Sequence, residues 1–205
     1  MPDTPLGPLF GILDLAGIAV FALTGALIAA REKQTFVTMA FFALITGVGG
    51  GSVRDLLIGA PVFWMRDPLV APACLAVAVI AWVTPNRWWE GKLLEYADAA
   101  GLAAYAVLGT AKSLAYGIAP VPAVLMGVIS GCVGGILRDV IAGRPSILMR
   151  PELYVTAAAL SASTVAALLA LDVTRPVAWS IAALAGFGLR AAAVRWKIEL
   201  PAYSR

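Results

Sequence analysis

Gly47-Val48-Gly49-Gly50-Gly51-Ser52-Val53-Arg54-Asp55-Leu56-Leu57-Ile58-Gly59-Ala60-Pro61 is followed 84 residues later by Gly131-Cys132-Val133-Gly134-Gly135-Ile136-Leu137-Arg138-Asp139-Val140-Ile141-Ala142-Gly143-Arg144-Pro145. The same offset lays Met65-Arg66 on Met149-Arg150 and, upstream, Asp14, Gly17, Phe21 and Gly25 on Asp98, Gly101, Tyr105 and Gly109. Alanine and glycine bias can produce the upstream matches. Two charges and a proline kept in one register do not come from composition. Such self-similarity marks a chain built from two copies of one unit.

What the unit consists of follows from composition. Of 205 residues 61% are hydrophobic and 13% charged, against about 25% charged in soluble domains. A membrane span needs about 20 mostly apolar residues. Seven stretches are candidates: 9–30, 36–58, 70–83, 97–116, 121–141, 153–171 and 177–194. The expected architecture is an all-α integral membrane protein, one membrane domain over 1–205. Repeat one covers 9–84, repeat two 93–171, and a seventh helix 176–196.

The linkers leave no room for a soluble catalytic or nucleic-acid-binding domain, and no nucleophile, base and orienting group recur together, so no enzyme is expected. The chain has no histidine, and Cys74 and Cys132 lack metal-ligand spacing. We therefore expect no metal and no cofactor, with both cysteines acting as small buried hydrophobes.

Loop charges give an orientation. One set of alternate loops holds Arg31, Lys33, Arg87, Lys92, Arg144, Arg150, Arg195, Lys197 and Arg205; the other holds Arg66, Lys112 and Arg175. Basic residues stay on the cytoplasmic side, which puts the N-terminus outside and the C-terminus in the cytoplasm. Met1-Pro2-Asp3-Thr4-Pro5 has no basic n-region, so the first apolar segment reads as a span. Three spans per repeat is an odd number, so the second copy enters from the opposite side. The repeats are expected to be inverted.

From Phe36 to Met65 the only charges are Arg54 and Asp55, yet one helix of that length would reach about 45 Å across a core about 30 Å thick. The segment must tilt, bend or break. Gly49-Gly50-Gly51, and Gly134-Gly135 in the second copy, are the expected kinks. Glycine-interrupted helices in matching positions of two inverted repeats point to a binding or conduction site near the midplane. Small-residue packing is the competing reading, with Gly47 and Gly131 the natural packing positions.

Arg54, Asp55, Arg138 and Asp139 lie deep in apolar sequence, where a charge faces a cavity or a partner. Adjacent helical residues point about 100° apart, so each Arg is expected to pair away from its own Asp. One hypothesis is cross-repeat pairing, Arg54 with Asp139 and Arg138 with Asp55. The network either fixes packing or forms a polar constriction.

Asp14 and Asp98, near the starts of the first and fourth spans, either stabilise helix ends or line the pathway. Trp82, Trp88, Trp89, Trp179 and Trp196 read as interfacial anchors. Arg190, Arg195 and Lys197 read as snorkelling to the surface, and Lys112 as a solvated loop charge.

The doubled motif Gly50-Gly51-Ser52-Val53-Arg54-Asp55 and Gly134-Gly135-Ile136-Leu137-Arg138-Asp139 resembles the prokaryotic branch of the trimeric intracellular cation (TRIC) channel family, over about residues 9–196. A related bacterial set with the same repeat is labelled as glycine transporters. The resemblance implies a homotrimer in the lipid bilayer of a prokaryotic plasma membrane, conducting monovalent cations, chiefly potassium. Each protomer would hold a pore formed by the second and fifth helices. Together with the glycine and Arg-Asp segments, this leads us to expect the pathway at Gly49, Gly50, Gly51, Ser52, Arg54, Asp55, Gly134, Gly135, Arg138 and Asp139. The Lys-Glu-Val motif of animal members is absent; Ile136-Leu137-Arg138 stands nearby. Two arginines in a cation path need neutralising by neighbouring acids, and the rival reading is a transporter of a small zwitterion such as glycine.

Overall fold

The computed structural model describes residues 8–89 and 92–201; the readings of residues 1–5 and of Arg205 fall outside them. Seven helices follow in order: α1 (Pro8–Arg31), α2 (Phe36–Leu57), α3 (Val70–Val83), α4 (Leu93–Ala115), α5 (Pro120–Ile141), α6 (Val155–Ala170) and α7 (Arg175–Trp196). Short 3-10 turns lie at Phe63–Met65, Asn86–Trp89 and Ile147–Met149. Among the described residues the only strand-like pairing is an isolated bridge between Glu152 and Glu199.

The start signals are local. Thr35 caps α2 through its side-chain oxygen, which accepts the Thr38 N–H at 3.4 Å, and Pro120 opens α5 where no N–H is needed. The ends are shared between the copies. Gly59 and Gly143 stand at φ +68° and +65°, and just beyond them Ala60 donates to the Asp55 carbonyl at 2.8 Å and Arg144 to that of Asp139 at 2.9 Å. A left-handed glycine that lets the chain bond back onto the last turn is how helices commonly stop.

That stop resolves the excess length differently from the sequence reading. Helical hydrogen bonding runs unbroken through Gly49-Gly50-Gly51 and through Gly134-Gly135, so the helices do not break at the glycines. α2 instead ends at Leu57, and the chain folds back until Phe63 meets the Asp55 carboxylate and packs against Gly51. The apolar run is a helix plus a return.

The glycines are where α2 and α5 touch. A Cβ on Gly50 would overlap the Ser130 carbonyl, and one on Gly134 would overlap the Thr46 carbonyl. Higher numbers on one helix face lower numbers on the other, so the two copies cross antiparallel. α1 and α4 do the same, with Gly17 against Tyr105 and Gly101 against Val20 and Phe21. The fold is two inverted three-helix repeats.

α7 has no counterpart and packs on α4 and α6, with Gly186 against the Ala157 carbonyl and Ser161. Gly47 lies against Ile18 and Cys74, and Gly131 against the Leu102 carbonyl. Both cysteines are free and buried.

Four helices, from Gly11 in α1 and over α2, α5 and α7, are long and apolar enough to span a membrane. α4 has the length but carries Glu95, Asp98 and Lys112. α3 and α6, at 14 and 16 residues, reach only about 21 and 24 Å. Trp82, Trp88 and Trp196 are exposed as anchors should be, but Trp179 is 5% exposed and packs with Val107, Leu108 and Val165. Its ring fills the seam between α7 and the second repeat.

Candidate functional site

Each copy builds the same polar half-site near the C-terminal end of its middle helix. In the first, Asp55 Oδ1 accepts Arg54 Nε at 2.8 Å, while Oδ2 accepts the Phe63 backbone N–H at 3.0 Å. In the second, Asp139 Oδ1 accepts Arg138 Nε at 3.0 Å and Oδ2 the Ile147 N–H at 3.1 Å. The fold-back thus donates to both carboxylates at the same offset.

This overturns the cross-repeat pairing. Each Arg pairs with its own adjacent Asp. The 100° between them governs where the Cβ atoms point. Three methylenes let the arginine stem come round the helix and present Nε and Nη2 to one carboxylate oxygen, leaving the other for the backbone.

Around that shared core the half-sites differ. Arg138 Nη1 reaches Thr24 Oγ1 at 3.0 Å and Asp98 Oδ1 at 3.5 Å, on α1 and α4. Arg54 Nη1 has no hydrogen-bond partner among the described residues. Lys112 from α4 instead reaches Asp55 Oδ1 at 2.8 Å, its ammonium 5.9 Å from the Phe63 ring centroid. Lys112 is therefore no solvated loop charge: it lies within α4, with a side chain 12% exposed.

Access differs as well. A cavity of about 340 Å³ opens at the end where α1 and α5 finish, reaching Thr24, Ile28, Asp98, Arg138 and Asp139. Its rim carries Arg31, Arg144, Arg150 and Lys197; we call this the arginine-rich end. Arg138 is 8% exposed there, whereas Arg54 and Asp55, at 1% and 0%, are sealed at the other end. Between them lies the glycine crossing of α2 and α5. The arrangement is one opened half-site, one closed half-site and a tight seam.

Of the two helix-end acids, Asp98 is drawn into the site by Arg138. Asp14 is half-buried and forms no salt bridge among the described residues, though the Tyr105 hydroxyl donates to its carbonyl at 3.2 Å. Ser52 donates to the Val48 carbonyl at 2.7 Å and accepts Trp64 Nε1 at 2.9 Å, which ties the fold-back down.

Sequence reading missed Lys112, Thr24 and the α7 contribution. Arg190 does not snorkel: it is 5% exposed, pairs with Glu152 and lies over the Tyr154 ring at 5.3 Å. A signal for Lys112 was present, because Asp98, Tyr105 and Lys112 recur every seven residues and so share one face of α4.

Comparison with known proteins agrees with the two-copy helical fold. The family model described as "Glycine transporter" matches twice, over residues 11–86 and 95–170. A UPF0126 membrane protein of Vibrio cholerae is 34% identical over 94% of this chain and 82% of its own length. An inner membrane protein of Escherichia coli K12 is 34% identical over 94% and 95%. Among solved structures, the TRIC trimeric intracellular cation channel orthologue from Rhodobacter sphaeroides superposes with a TM-score of 0.87 at 38% identity, covering 94% of this chain and all of that one. A second structure, solved to explain conductance through TRIC cation channels, gives 0.85 at 29% identity, over 96% and 98%. The chain therefore belongs to the inverted-repeat membrane family described as glycine transporters and has the fold of the prokaryotic TRIC channels.

Proposed function

We propose that this protein is a cation channel selective for monovalent ions, potassium foremost, with a path in each protomer running along α2 and α5 past the two Arg-Asp half-sites. The observation that carries the reading is the cavity that stops at Asp98, Arg138 and Asp139. Charged groups at membrane depth normally mark such routes. The likeness to proteins named as cation channels supports the same ion class.

In this reading the two arginines are neutralised locally, Arg54 by Asp55 and Arg138 by Asp139 and Asp98, so neither repels a passing cation as a bare charge. The pathway residues are Gly49, Gly50, Gly51, Ser52, Arg54, Asp55, Gly134, Gly135, Arg138 and Asp139, with Asp14 and Asp98 at its margins. The glycine seam and the Lys112–Asp55 bridge hold the path shut. The arginine-rich end faces the cytoplasm of a prokaryote, the N-terminus lies outside, and the working form is a homotrimer.

A second reading has support from the family's description: a transporter of a small zwitterion, whose carboxylate would meet Arg138 and whose ammonium would meet Asp98. Purified protein in a planar bilayer distinguishes them. Unitary currents reversing near the potassium potential support the channel. Saturable glycine uptake without unitary current would reject it.

A further inference from the structure

The two half-sites differ by one charge. Lys112 stands 84 residues after Ile28, so it occupies in the first half-site the place that an isoleucine takes in the second. The sealed half-site holds Arg54 and Lys112 against Asp55, with Asp14 within electrostatic reach of all three. Two cations thus face these carboxylates. The opened half-site holds Arg138 against Asp98 and Asp139, and Ile28 contributes nothing. It has one cation fewer than its twin.

Surroundings fit that deficit. Ile28, Asp98, Asp139 and Ile147 all line the cavity at the arginine-rich end, so the position that Lys112 fills beside Asp55 adjoins, at Asp139, a cavity instead of a cation. Of the other cations that line this cavity, Arg190 is engaged by Glu152 and Arg144 by Glu32, Arg150 lies 3.8 Å from Glu152, and Arg31 and Lys197 stand at the rim.

We propose that the Lys112 ammonium is a tethered stand-in for a mobile ion. The cavity beside Asp98 and Asp139 is then a binding site for a monovalent cation or a small primary ammonium, and its twin at Asp55 is permanently occupied by Lys112. The inference rests on the cation-channel reading and deepens it by giving the ion a place to stop. One buried carboxylate oxygen, already sharing its charge with an arginine, suits a singly charged ion. At Asp55 the ring of Phe63 adds an aromatic face on the Lys112 ammonium; at Asp139 the matching residue is Ile147, which offers none. A lysine removed from the first half-site leaves the same deficit as in the second.

The test is anomalous diffraction from crystals of the full chain grown in rubidium chloride. The wild type should give a rubidium peak beside Asp139 and none at Asp55. Lys112→Ala should add a peak at Asp55, and Asp139→Asn should lose the first. Lys112→Met, which keeps the apolar stem, serves as the second variant if Lys112→Ala does not fold, with the same gain expected. Absence of a peak at Asp139 in the wild type, or at Asp55 in both lysine variants, overturns the proposal. Potassium flux through wild-type protein is measured separately: no flux would sink the channel reading while leaving the rubidium result to decide the site.

Discussion

Arg138 donates from Nη1 to the hydroxyl of Thr24, 3.0 Å away, so a guanidinium of the second repeat is held by the first helix of the first repeat. Thr24 also donates to the Phe21 carbonyl at 2.8 Å, which turns its lone pairs toward the guanidinium. The contact has no mirror image, because the matching position is Leu108. Thr24→Val keeps the shape and removes the oxygen. Losing a hydrogen bond to a buried charge costs about 1.5–3 kcal/mol, and thermal unfolding in detergent should show it, while Leu108→Val, which removes one methylene, should cost less.

The Lys112–Asp55 bridge has an asymmetric energetic prediction. Asp55→Asn removes the only carboxylate salt-bridged to the buried Arg54 and Lys112 among the described residues, and breaking one side of a buried pair costs about 3–5 kcal/mol. Asp139→Asn should cost less, because Asp98 still faces Arg138. Lys112→Met added to Asp55→Asn should recover part of the loss. A double-mutant cycle by unfolding measures the coupling; additive losses would mean that the bridge is not made in the membrane.

Gly50 and Gly134 test the seam. A methyl group on either meets a backbone carbonyl of the other helix, which cannot rotate away. Overpacking of this kind costs about 1–3 kcal/mol. At Gly188 of α7 an added methyl would have nothing within 4 Å, so Gly188→Ala should be neutral or gain up to about 1 kcal/mol from helix propensity. If all three behave alike in unfolding experiments, the crossing is too loose for its glycines to matter.

The repeat, the seven helices and their ends within a few residues were all legible, because span length and an 84-residue register are one-dimensional signals, whereas the glycine stops at Gly59 and Gly143 went unread. Side-chain pairing was not. Geometry on an ideal helix argued against Arg54 with Asp55, yet a long flexible stem made the local pair cheaper than a reach across the crossing. Lys112 was misread because its place on α4 hides that the neighbouring α2 brings a carboxylate to it. Arg190 was misread for the same reason: only the three-dimensional return of the chain at Glu152 supplies its partner. Trp179 looked like an anchor by its distance from a span end and is instead covered by α4 and α6.

Gly59 and Gly143 offer a prediction free of packing. Both sit in the left-handed region, at φ +68° and +65°, and neither would bring a new methyl near any atom. Alanine there pays only the backbone cost of that conformation, about 1–2 kcal/mol, and asparagine should recover part of it. The functional consequence should exceed the stability loss at Gly143. Its turn delivers the Ile147 N–H to Asp139 Oδ2, so a shifted fold-back frees a carboxylate oxygen of a residue that lines the cavity. Gly143→Ala should therefore change cation currents more than Gly59→Ala does, although unfolding of the two variants should differ little. Equal effects on current would mean that the turn only ends the helix.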